Sequence, residues 1–96
     1  MNNKSSIGII KPSSVKFDNS LLLECGKELK GFEMVYETYG KLNEEKSNAI
    51  LICHALSGSH HAAGYHKDSE EKAGWWDSLI GPDKAIDTNK YFVVCP

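Results

Sequence analysis

The hydrophobic positions of this chain fall into short runs, each closed by glycine or by a charged break, and about four of them read as strands. Residues 21–25 (Leu-Leu-Leu-Glu-Cys) are the first, and 26–31 turn the chain into the second, 32–39, so the two predict an antiparallel hairpin. Within 32–39 a period of two puts Phe32, Met34, Tyr36 and Thr38 on one face and Glu33, Val35, Glu37 and Tyr39 on the other. Glu33 and Glu37 then read as a solvated stripe on the outer face of an edge strand, not as an acid/base pair. Gly40 ends the strand, and 41–48 is a charged surface connection. Residues 1–20 are mostly polar, with an apolar patch at Ile7-Gly8-Ile9-Ile10 that Lys11-Pro12 interrupts. They read as an arm.

The third run, 49–53, empties at once into histidine, small residues and glycine: His54-Ala55-Leu56-Ser57-Gly58-Ser59-His60-His61-Ala62-Ala63-Gly64. In open α/β sheets ligands collect in the crevice beyond the carboxyl ends of the strands, where backbone N–H groups are not all consumed by pairing. Leu56, Ser57 and Gly58 are therefore placed to aim N–H donors at an oxyanion. His54 reads as a hydrogen-bonded organiser of the loop. His60, His61 and His66 form a small cluster whose spacing matches no strong metal motif, and no metal is expected there. A polar excursion over 66–74 follows. Trp75 and Trp76 then bring large apolar surfaces beside Asp77, 77–80 suits one helical turn, and Gly81-Pro82-Asp83 is turn chemistry. Asp87 reads as a polar cap on the way into the fourth run, 91–95, which is aromatic and β-branched.

Two motif groups, His54-Ala55-Leu56-Ser57-Gly58 with His61-Ala62-Ala63-Gly64, and Gly74-Trp75-Trp76-Asp77 with Ile80-Gly81-Pro82-Asp83-Lys84-Ala85-Ile86-Asp87-Thr88, closely resemble the N-terminal part of the homoserine O-acetyltransferases. The resemblance runs from about Leu21 to Cys95 and implies an α/β-hydrolase fold, of which this chain would hold an incomplete mixed sheet. In that fold the oxyanion hole takes one N–H from the residue after the nucleophile and one from the loop following the third strand, so the resemblance assigns the second donor to the Leu56 backbone N–H. It implies a fourth strand lying between the second and third, with the far edge of the third left bare, which predicts marginal folding, dimerisation or aggregation. It also implies that the serine nucleophile, aspartate and histidine lie further along a longer chain. Residues 21–96 are then the N-terminal part of the domain, truncated before the nucleophile elbow, and inactive alone.

The whole enzyme would move an acetyl group from acetyl-CoA, a co-substrate and not a bound cofactor, to the hydroxyl of L-homoserine through a serine acyl-enzyme, in methionine biosynthesis. Leu56-Ser57-Gly58 and Lys84–Thr88 resemble acetyl-transferring members, whereas Ser59-His60-His61 resembles succinyl-transferring ones; Ser57, Gly58 and Ser59 are the candidates for acyl specificity. A succinyltransferase, a related ester hydrolase and a non-catalytic module are the alternatives. Neither Ser57 nor Ser59 sits in Gly-x-Ser-x-Gly, so neither is the nucleophile. In this family Trp75 and Trp76 look like supports for the loops at the active-site mouth. Asp83 departs from the glycine common there, which matters if that position requires positive φ.

Composition narrows the class further. The chain has 96 residues and a net charge of -2, which gives no electrostatic footprint for nucleic acid or an anionic membrane. Its three cysteines, Cys25, Cys53 and Cys95, are widely spaced and odd in number, so free thiols in a reducing compartment, the cytoplasm, are expected. No run approaches the roughly 20 apolar residues of a membrane span. Family members commonly pair as homodimers through a helical lid outside this sequence.

Overall fold

The computed structural model describes residues 6–67 and 72–96. Its strands, in chain order, are β1 (Ser13–Phe17), β2 (Leu21–Leu22), β3 (Glu28–Leu29), β4 (Phe32–Tyr39), β5 (Ala49–Leu51), β6 (Ile80–Gly81), β7 (Ile86–Asp87) and β8 (Phe92–Cys95). Four of them make one mixed sheet in the order β1-β4-β8-β5. β4 runs antiparallel to both neighbours, with Tyr36 opposite Ser13 and Glu37 opposite Cys95. β5 runs parallel to β8, Leu51 opposite Val94, and Ile52 extends the ladder by donating its N–H to the Val94 carbonyl at 2.8 Å. The strand at 92–95 therefore lies between those at 32–39 and 49–51, as the resemblance implies, and β5 closes the sheet order. No helix among the described residues is long and apolar enough to cross a membrane.

The hairpin differs from the sequence expectation. The partner of β4 is β1, which lies inside the segment read as an arm, and 21–25 pairs elsewhere. The reason is local: Leu23 donates to the Lys27 carbonyl and Gly26 to the Leu23 carbonyl, so the leucine run closes on Glu28–Leu29 in its own tight loop and leaves the β4 edge open. β1 fills that edge, and stacking of Phe17 on Phe32, ring centroids 4.8 Å apart, secures the register at the far end. The apolar patch of the arm is also used. Ile7 and Ile10 pack against the core, Ile10 donates to the Tyr65 carbonyl, and Tyr65 donates back to Gly8.

The core is small and sits at the carboxyl end of β8. Tyr39, Ile52, Ala62, Ala63, Ile80, Val93 and Cys95 are buried, with Trp76 and Ile86 packed against them. Two alanines in that list come from the loop after β5, so the loop is part of the core and not a surface excursion. Its backbone is approached closely from outside. A Cβ on Gly74 would fall onto the Ala62–Ala63 peptide, and one on Gly64, at φ +73°, would meet Gly8 O at 2.7 Å. Segment 74–76 runs along the loop through three hydrogen bonds: Gly74 N–H to Gly64 O, Trp75 N–H to His61 O and Trp76 N–H to Ala62 O.

The candidate active-site loop

Because β4 is antiparallel to β8, Glu37 sits where the parallel pair β5 and β8 releases the chain, facing the loop that β5 feeds. This overturns the expectation of a solvated stripe. Glu37 is fully buried, although Glu33 on the same side is exposed. Strand parity is right, but the covering is not uniform along β4: loop 60–66 lies over its last turn of residues and leaves the first half open.

A carboxylate can be buried there because its oxygens are met. Oε1 accepts from the Tyr39 hydroxyl at 2.7 Å and from His61 Nδ1 at 3.0 Å; Oε2 accepts from His66 Nε2 at 2.6 Å, with His60 Nε2 at 3.8 Å. Donation from Nδ1 fixes the His61 tautomer and leaves its Nε2 buried without a partner. The His61 and His66 rings lie 3.7 Å apart, centroid to centroid. The Tyr39 oxygen also receives the Ala62 N–H at 2.8 Å and lies 3.0 Å from the His60 carbonyl. Burial, and then the bond to Glu37, push the Tyr39 phenol far above its ordinary pKa, so it stays a neutral donor.

Glu37, His61 and His66 offer one ligand atom each, all within 4.8 Å of one another. Two donors on a tetrahedral zinc stand about 3.3 Å apart. At 2.6 Å the pair His66 Nε2 and Glu37 Oε2 shares a proton, so the cluster as built is a hydrogen-bond network.

The residues proposed for oxyanion and acyl contacts lie just upstream. Ala55 to Gly58 is a β-turn closed by the Gly58 N–H on the Ala55 carbonyl at 2.8 Å. Leu56 occupies its first corner with the side chain in solvent, and its N–H donates to no acceptor among the described residues. Ser57 and Gly58 are exposed at the same tip. Ser59 is held: its Oγ accepts from the His61 N–H, and its carbonyl accepts from Trp75 Nε1 at 2.8 Å. His54 Nδ1 contacts the Ala55 carbonyl at 2.7 Å, a role within the loop. Trp75 and Trp76 stack at 5.3 Å, and the Trp75 bond to Ser59 makes the pair a support of the loop.

Further from the tip, Asp77 Oδ1 accepts the Gly64 N–H at 2.8 Å, and Lys84 Nζ lies 3.4 Å from Oδ2. Asp87 caps its turn by accepting from the Asn89 and Asp83 N–H groups, which hold its carboxyl below the usual value. Asp83 adopts φ +61°, the condition under which glycine would be easier there. Burial, then the charges of Glu37 and Cys53, push the Cys95 thiol up. Cys25, Cys53 and Cys95 are all free.

Sequence reasoning missed Glu37, Tyr39 and Asp77 as organisers. The available signal was three histidines within seven residues, which need a carboxylate, and a glutamate whose neighbours Tyr36, Thr38 and Tyr39 suit a buried strand.

No profile of a known protein family matches the chain. Individual proteins do. It is 62% identical over 91 residues to the homoserine O-succinyltransferase of Psychrobacter arcticus, covering 95% of this chain and 20% of that protein, and 64% identical over 89 residues to that of Hahella chejuensis, covering 93% and 23%. Among solved structures it resembles the homoserine O-acetyltransferase of Bacillus anthracis (TM-score 0.85, 50% identity, 91% of this chain and 23% of that one) and esterase E22 (TM-score 0.86, 40% identity, with the same coverage). The chain thus spans between a fifth and a quarter of the length of the curated relatives it matches. Identity at this level over nearly the whole chain, with the backbone following theirs, makes this chain a homologue of the homoserine O-acyltransferases that carries part of an α/β-hydrolase fold.

Proposed function

We propose that the protein to which this sequence belongs transfers an acyl group from acyl-CoA to the hydroxyl of L-homoserine, and that this chain contributes the Leu56 N–H to the oxyanion hole. The observation that carries the reading is the identity to homoserine O-succinyltransferases, which runs through the loop and its supports. Acyl transfer passes through a tetrahedral oxyanion, and one preorganised donor is worth about 3 kcal/mol of barrier. An N–H at the corner of a turn, without an acceptor and beyond the carboxyl end of β5, is suited to that task. The nucleophile in this reading is a serine outside the chain, acylated by acyl-CoA and then relieved by homoserine in a ping-pong cycle. No cofactor beyond the CoA substrate takes part. A cytoplasmic homodimer is the setting proposed.

The 62% and 64% identities favour succinyl-CoA as donor; the 50% identical acetyltransferase structure and the Leu56-Ser57-Gly58 tip favour acetyl-CoA as the second reading. The 40% identity to esterase E22 favours a third, in which water accepts the acyl group. The test is CoA release by the full-length protein from each donor, with and without L-homoserine, beside the variant Leu56→Pro. Proline suits the first corner of a turn and removes only the N–H. Homoserine-dependent release that drops about 100-fold or more in the variant supports the reading. Release indifferent to homoserine assigns hydrolysis, and an unaffected variant removes Leu56 from the mechanism.

A further inference from the structure

We infer that Glu37 is the positioning residue of the oxyanion loop, an inference that rests on the acyltransferase reading above. The turn carrying Leu56 has no tertiary bond of its own and hangs between two anchors. Upstream, Ile52 is hydrogen-bonded into the sheet through Val94. Downstream, the anchor is the Glu37 carboxylate, which gathers His61 and His66 directly, with His60 alongside, and holds the loop backbone through Tyr39, whose oxygen binds the Ala62 N–H and faces the His60 carbonyl. Every one of these contacts falls within ten residues of Leu56.

The choice of residue points the same way. Packing alone would be served as well or better by an apolar side chain, because a buried carboxylate must recover its desolvation cost through bonds. What a carboxylate does, and an apolar residue does not, is draw polar groups of a separate segment to one defined place. Here that segment is the continuation of the oxyanion turn. A shift of the downstream anchor by about 1 Å carries Leu56 with it, and misplacement of that size costs catalysis on the order of 100-fold.

The experiment is a double-mutant cycle in the full-length protein between Glu37→Gln and Leu56→Pro, with Tyr39→Phe as an independent probe of the same anchor. The readouts are the rate of CoA release on acylation, KM for acyl-CoA and thermal stability. The inference expects Glu37→Gln and Tyr39→Phe each to lower the acylation rate about 10- to 100-fold with KM changed less than about twofold, and Glu37→Gln to add little once Leu56 is proline. Glu37→Asp, which retains the charge, recovers part of the rate. A lowered melting temperature with unchanged rate in Glu37→Gln and Tyr39→Phe means a merely structural carboxylate and overturns the inference, as do fully multiplicative effects with Leu56→Pro. If Glu37→Gln fails to fold, Tyr39→Phe decides by the same criteria. Wild-type protein without acyl transfer, or full activity in Leu56→Pro, defeats the functional reading itself and this inference with it.

Discussion

Gly74→Ala isolates the closest backbone approach in the molecule. Gly74 is buried, and its ideal Cβ coincides with the Ala62–Ala63 peptide, with Ala62 O a further 2.7 Å contact. Its φ lies outside the left-handed region, so the cost is one of space and not of dihedral strain. Main-chain atoms cannot rotate away as a side-chain end can. The two segments must separate, and the three hydrogen bonds that join 74–76 to 61–64 stretch or break. At about 1 kcal/mol net each, with more wherever a buried N–H loses its acceptor, the loss is about 3–5 kcal/mol. That is a large part of the roughly 5–15 kcal/mol available to a domain. Urea denaturation of the full-length protein measures it, with fluorescence of the stacked pair Trp75 and Trp76 reporting from the site. The control is Gly31→Ala, at φ +59° with nothing within 4 Å of its Cβ, where only dihedral strain of about 1–2 kcal/mol applies. A Gly74→Ala protein within about 1 kcal/mol of wild type would refute the claim that these backbones are in obligatory contact.

Three further outcomes are expected. Asp77→Ala leaves the Gly64 N–H without its acceptor and costs about 1–3 kcal/mol in denaturant titrations, while Asp77→Asn, which keeps an acceptor oxygen, recovers most of it. Because the folded-state pKa of Cys95 is raised above the model value of 9.0, its contribution to stability is complete below that pH and is lost as pH rises beyond it. Cys95→Ser should flatten that alkaline limb in melts taken at stepped pH. Asp83→Gly relieves a left-handed residue at φ +61° and forfeits only an exposed bond from Asn89, so the melting temperature should rise, by no more than about 1 kcal/mol in stability.

Much of the architecture was legible in the residues. The β-branched and aromatic runs at 32–39 and 91–95 are strands, the apolar run at 49–53 does empty into a small-residue loop, and Gly81-Pro82-Asp83 does turn. These are local properties, decided by periodicity and by turn chemistry, and a linear reading reaches them. The partner of β4 was not legible. Two candidate segments precede it, and the nearer one was consumed by a hairpin of its own, an outcome decided by competition between closures and not by either segment alone.

The centre of the site was hidden for a related reason. Period two placed Glu37 and Tyr39 on one face correctly, but only the tertiary structure decided that this face is covered at one end of the strand and open at the other. Whether a carboxylate is a surface charge or the hub of a buried network depends on what the chain brings over it from more than twenty residues away, here His61 and His66. The sequence by itself determined the donors and the acceptor. Their meeting, and with it the anchoring of the Leu56 turn, belongs to the fold, because a buried charge is stable only where every partner arrives together.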